Sequence, residues 1–167
     1  PNLIKPIIQK ENQFSKGGFK PSAYAAGYAK GEFIAFCEGD DYWIDPKKLQ
    51  IQIRAMQKHP NVDLSFHSAY YERNRVRDRS PSWIYGHDKI IYPDIIIRSR
   101  GQFSPTASMV LRKQVLYSLP DFLFDTAPVG DFFWEMYGSR KGGALFINRA
   151  MSVYRKFTLN SWSSRVD

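Results

Sequence analysis

The chain has 167 residues, 43% of them hydrophobic and 16% aromatic, and a net charge of +8. That length and apolar content suit one folded domain and exclude general disorder, and no apolar run approaches the ~20 residues of a membrane-spanning helix. The basic excess suits either an ordinary basic surface or attraction to an anionic partner, a sugar nucleotide, an anionic lipid surface or nucleic acid, and the lack of zinc-finger spacing or an RNA-binding signature argues against the last.

In chain order, Ile4 to Gln9 is a short strand candidate interrupted by Pro6. Glu11 to Lys20, with Asn12, Ser15, Gly17 and Gly18, reads as a loop. Ser22 to Ala29 is Ala- and Tyr-rich and reads as a helix capped by Ser22. Glu32 to Cys37 is a short apolar strand of the kind buried in parallel sheets. It would bury the thiol of Cys37, the sole cysteine, which suits a reducing cytoplasm. A helix is predicted from Pro46 to about Lys58, with Asp45 as N-cap and an apolar face of Leu49, Ile53 and Met56. Val62, Leu64 and Phe66 alternate with Asp63, Ser65 and His67, a strand period in which His67 carries no chemistry. Residues 71–101 read as an excursion of short strands, with Arg73, Arg75, Arg77 and Arg79 as a solvated loop or edge strand. Thr106 to Leu111 suits a strand, Val115 to Ser118 a helical turn, and Asp131 to Tyr137 a helix broken near Gly138. Ala144 to Ile147 and Met151 to Tyr154 read as two closing strands. The alternation predicts an α/β fold around a mostly parallel sheet flanked by helices.

The predicted strand at residues 32–37 ends in Glu38-Gly39-Asp40-Asp41-Tyr42-Trp43. Ligands in open α/β sheets bind beyond the carboxyl ends of strands. Three carboxylates within four residues repel one another unless a cation or hydrogen bonds compensate. Oxygen-only ligands favour Mg²⁺ or Mn²⁺, which could bridge a diphosphate. A solvated acidic turn leading into the next helix is the alternative.

The run from Ala29 to Leu49, AKGEFIAFCEGDDYWIDPKKL, resembles the family 2 (GT-A fold) glycosyltransferases. There a strand after "A-x-G-E" ends in a D-x-D type motif followed by "D-x-W … P-x-K-L". Glu11-Asn12 with Gly17-Gly18 resembles the family's "E-N-x-G" loop, and Thr106 to Arg112, Gly130-Asp131 and Tyr154-Arg155 follow in the expected order. The resemblance implies an inverting, metal-dependent transfer of sugar from a nucleoside diphosphate sugar to a saccharide or lipid-linked acceptor hydroxyl. It places Asp40 at the metal, Glu38 toward the nucleotide-sugar and Asp41 beside both, so that all three are candidate metal-site residues. Asp131 takes the place of the catalytic carboxylate, with Asp121, Asp125 and Glu135 as competitors. Arg155 would approach the diphosphate, and Trp43 would stack on a sugar ring; core packing is the alternative for Trp43.

Three departures qualify the resemblance. Phe157 stands where the family's last motif carries His, the "A-R-N" signature gives way to Ser22 and Ala23, and the chain begins after the strands that grip base and ribose. The expectation is one partial, N-terminally truncated GT-A domain over 1–167, with a metal-loop half at 1–70 and an acceptor-side half at 71–167. It would be cytoplasmic, with peripheral attachment at the membrane's inner face as a variant, and an open sheet edge would invite self-association. A non-catalytic nucleotide- or carbohydrate-binding fragment is the alternative function.

Overall fold

The computed structural model describes residues 4–11, 13, 21–82, 85–99, 102–120, 123 and 130–157. The expectations for Asn12, Gly17, Gly18, Asp121, Asp125 and the Ser22 side chain fall outside the described residues.

Among the described residues a seven-stranded sheet organises the fold. Its path is β1 (Phe33–Ala35), β6 (Val110–Arg112), β3 (Leu64–Arg73), β7 (Ala144–Lys156) and β2 (Tyr42–Trp43). Off that path, β4 (Val76–Arg77) pairs with β3, and β5 (Lys89–Ile91) pairs with β7. The helices are α1 (Pro21–Tyr28), α2 (Lys48–Lys58), α3 (Pro93–Arg98), α4 (Gln114–Tyr117) and α5 (Gly130–Ser139). A 3₁₀ turn, Thr106–Ser108, precedes β6. No described helix is long and apolar enough to cross a membrane.

The architecture is mixed α/β, and its sheet is less parallel than the periodicity predicts. Among the described residues only β3 and β7 pair in parallel, although theirs is the longest ladder; the other pairings are antiparallel. Strand period fixes which face a residue takes but not the direction of its neighbour, and short return strands on either side of the β3–β7 pair set the balance. Ile4 to Gln9 forms no strand: Pro6 lacks an amide donor, and Ile4 and Ile8 are exposed. The two predicted closing strands are one. Residues 148–151 of β7 fall where the ladder skips from His67↔Ile147 to Ala69↔Ser152, so polar Asn148 and Arg149 sit in a bulge rather than a loop.

The two faces of β7 follow the period of two. Ala144 and Phe146 join a cluster with Leu64, Phe66, Met109, Leu111 and Trp134. Leu145, Ile147 and Met151 pack with Val62 on the other face, against Ile51 and Ala55 of α2. α5 lies close on its face because Gly138 has no Cβ; one built there would stand 2.7 Å from Leu111 Cδ2 and 2.9 Å from Leu64 Cβ. The helix therefore runs through Gly138 rather than breaking at it.

α2 departs from its predicted face. Its fully buried residues are Lys48, Gln52 and Met56, while Leu49 is 38% exposed. They face Ser65 and His67, so β3 is buried on both faces over 64–69. The helix begins two residues later than predicted, after a turn in which the Lys47 N–H donates to Asp45 Oδ1 at 2.8 Å. The arginine run forms the β3–β4 hairpin, whose tip residues Asn74 and Arg75 take left-handed φ values of 50° and 65°.

Candidate functional site

The acidic loop leaves the carboxyl end of β1 and returns as β2 against β7. Asp41 is buried and faces inward: its Oδ1 accepts the Arg155 backbone N–H at 2.9 Å. Its Oδ2 is buried without a partner among the described residues. Burial pushes the Asp41 carboxyl up to about 7 against the help of Arg155. The Arg155 Nε donates to the Asp40 carbonyl, and its guanidinium lies 5.8 Å from the Tyr42 ring. Arg155 thus stands at the loop through both its backbone and its side chain.

Glu38 is exposed as a residue, yet its carboxyl is crowded. Desolvation first, then repulsion by Asp131, Asp41 and Asp40, pushes it up to about 7, with the Thr106 hydroxyl opposing. Tyr154 feels the same anions: burial, followed by Glu38 and Asp41, raises its phenol to about 12.

Asp131 sits in the first turn of α5, 91 positions after Asp40 in the numbering. The fold brings it to this end of the sheet, where Thr106 Oγ1 donates to Asp131 Oδ2 at 2.7 Å and Gln102 Nε2 reaches the same oxygen at 3.4 Å. Burial raises its pKa and the Thr106 bond lowers it. Glu135, one turn on, is fully buried and occupied: it accepts the N–H groups of Phe103 and Ser104 at 2.7 and 2.6 Å and the Ser104 hydroxyl at 2.7 Å. It holds the 102–106 segment against α5, so that of the two α5 carboxylates Asp131 is the one that faces Thr106.

Trp43 is 37% exposed. Its indole N–H donates to the Ala107 carbonyl at 3.0 Å, and Lys48 Nζ lies 4.5 Å from its ring centroid. Cys37 is exposed rather than buried, because β1 ends at Ala35. Beside it, a cleft of about 720 Å³ runs from Ala25 of α1 and Ala29 just beyond that helix, past Ile34 and Phe36, to Glu38 and Thr106. It joins an apolar wall to the acidic end of the sheet.

The structure gathers Glu38, Asp40, Asp41, Arg155 and Asp131 at one end of the sheet, with Trp43 at its margin. Sequence reasoning missed Thr106, which it read as an ordinary strand residue, and the buried pair Lys48 and Gln52. For Thr106 a signal existed: a hydroxyl beside Pro105 suits a turn as well as a strand.

Among the described residues no three His, Cys, Asp or Glu side chains form a preformed metal cluster. The oxygen-only set does suit an ion that takes one or two carboxylates and completes its shell with phosphate oxygens and water, as Mg²⁺ does.

No family model matches the chain. Uncharacterised proteins of Mycobacterium tuberculosis and Mycobacterium bovis are each 30% identical over 166 residues, 98% of this chain and 45% of theirs. The chain thus spans less than half the length of these curated relatives. The Escherichia coli enzyme UDP-Glc:alpha-D-GlcNAc-diphosphoundecaprenol beta-1,3-glucosyltransferase WfgD is 41% identical over 61 residues, 36% of this chain and 22% of that one. Among solved structures, Staphylococcus aureus TarS (residues 1–349) in complex with UDP-GlcNAc superposes with a TM-score of 0.61 at 18% identity, covering 90% of this chain and 42% of that one. The chain therefore shares the fold of that part of TarS.

Proposed function

We propose that this chain carries the metal-loop and acceptor-side part of a glycosyltransferase of the family 2 type. The reaction is an inverting transfer of sugar from a nucleoside diphosphate donor to a saccharide or lipid-linked hydroxyl. The observation that carries the reading is the meeting of Glu38, Thr106 and Asp131 beyond the carboxyl end of β1, beside the Asp40–Arg155 contact. It is supported by the WfgD likeness and by the TarS fold, whose structures hold UDP-GlcNAc and UDP.

Asp131 is the general base. A carboxylate must reach the acceptor hydroxyl on the side away from the leaving diphosphate. Thr106 fixes one Asp131 oxygen and leaves the other for the acceptor. Asp40 and Glu38 would hold a divalent ion, Mg²⁺ or Mn²⁺, which when bound supplies charge neutralisation for the departing diphosphate. Asp41, tied to the Arg155 amide, positions that arginine toward the same phosphates. Trp43 offers its exposed ring face to a sugar.

The test is transfer by the full gene product carrying Asp131→Asn, a nearly isosteric change. Donor affinity stays within about twofold while turnover falls by about 10²-fold or more, the usual scale for losing acid–base catalysis. Near-normal turnover would leave Asp131 as a residue of the helix start and move the base elsewhere.

A further inference from the structure

A fully buried lysine lies beneath the site without touching its carboxylates. Lys48 is 1% exposed, and its Nζ donates to Gln52 Oε1 at 2.8 Å. The Ser108 and Ser65 carbonyls only accept and the Lys48 ammonium only donates, so together they fix the direction of the Gln52 amide: Oε1 faces Nζ. The amide NH₂ then points the other way, into the Ser108 carbonyl at 2.8 Å and Ser65 Oγ at 3.1 Å. Ser108 closes the 3₁₀ turn that begins with Thr106. The preceding carbonyl, Ala107, is held by the indole N–H of Trp43, whose ring rests over Lys48. Two consecutive carbonyls of the Thr106 turn are therefore gripped by groups that Lys48 orients.

Stability does not account for a lysine here. Burial disfavours its charge, pushing it down to about 7, and an apolar chain of similar length fills such a space without that penalty. We propose that Lys48 and Gln52 are positioning residues for the transfer: they lock the 106–108 turn, hold Thr106 against Asp131, and fix the face Trp43 presents to its ligand. The functional half of this inference rests on the transfer reading; the lock itself does not.

Lys48→Met tests both halves. In the isolated chain, hydrogen exchange is followed at the Ser108 and Met109 amides, which bond to Pro105 and Thr106 within the turn. Exchange there should rise at least ~10-fold while the β3–β7 ladder at 64–67 keeps its protection. Unchanged exchange in the turn, or an equal rise across the ladder, overturns the lock and leaves a purely structural lysine. In the full gene product, turnover should fall at least ~10-fold with the donor KM within about twofold, the pattern of a group acting beyond donor binding. Normal turnover in Lys48→Met beside a crippled Asp131→Asn refutes the positioning role and leaves the transfer reading intact. A wild type that transfers nothing sinks the transfer reading, and the exchange result still decides the lock. Should Lys48→Met not fold, Gln52→Met removes the same grip on Ser108 and carries the same outcomes.

Discussion

The backbone N–H of Arg155 donates to Asp41 Oδ1 at 2.9 Å, a bond between residues 114 apart in the chain. It pins the acidic loop to the last strand and brings the Arg155 guanidinium beside Asp40. Through this oxygen Asp41 acts as a latch between the loop and β7.

Substitutions at Asp41 separate the latch from the charge. Asp41→Ala leaves the Arg155 amide without its acceptor and should cost about 1–3 kcal/mol, or roughly 2–12 °C in Tm for a chain of this size. Asp41→Asn keeps an acceptor and removes a charge that burial disfavours, and should stay within about 1 kcal/mol of wild type at pH 8. Thermal denaturation of the three proteins decides; equal losses in both variants would contradict a hydrogen-bond latch.

Gly138 predicts a packing defect. Alanine there brings a Cβ to 2.7 Å from Leu111 and 2.9 Å from Leu64, both in the core. Helix propensity favours alanine by about 1 kcal/mol, but overpacking costs typically about 1–3 kcal/mol. Gly138→Ala should therefore destabilise, by up to about 2 kcal/mol in urea unfolding. A stabilised variant would mean that α5 stands farther from the sheet than described.

His67 predicts the acid limb of stability. Its Nδ1–H donates to the Ser68 carbonyl at 2.7 Å, and Nε2 is buried without a partner among the described residues. Desolvation, with Lys48 adding to it, pushes its pKa down to about 3 from 6.5. The unfolded chain therefore binds the extra proton first. The contribution is fully present above about pH 6.5 and is lost as pH falls toward 3, by up to about 1.4 kcal/mol per pH unit. His67→Leu should flatten urea-unfolding stability between pH 4 and 6.5; an unchanged slope would assign the limb to other groups.

The acidic loop, the strand before it and the helices at 48–58 and 130–139 were legible because local patterns encode them: a carboxylate run, an apolar run and helical spacing. Strand direction was not, because the antiparallel returns of β2, β5 and β6 depend on chain path rather than on period. The buried face of α2 keeps Met56 of the predicted stripe and departs from the rest of it for a chemical reason. Hydropathy favours Leu49 and Ile53, whereas Lys48 and Gln52 go inside because they satisfy each other and the Ser108 carbonyl. The partnership of Thr106 with Asp131 spans 25 residues, and no local signal carries it.

A nucleoside diphosphate together with a divalent ion is the proposed ligand of the acidic loop. Calorimetric titration of the chain with uridine diphosphate, with and without Mn²⁺, tests it most directly. Binding should depend on Mn²⁺, metal affinity should be weak without the nucleotide because phosphate oxygens complete the coordination, and Asp40→Ala should bind at least ~10-fold more weakly. Equal binding by wild type and Asp40→Ala, or binding indifferent to Mn²⁺, would contradict it.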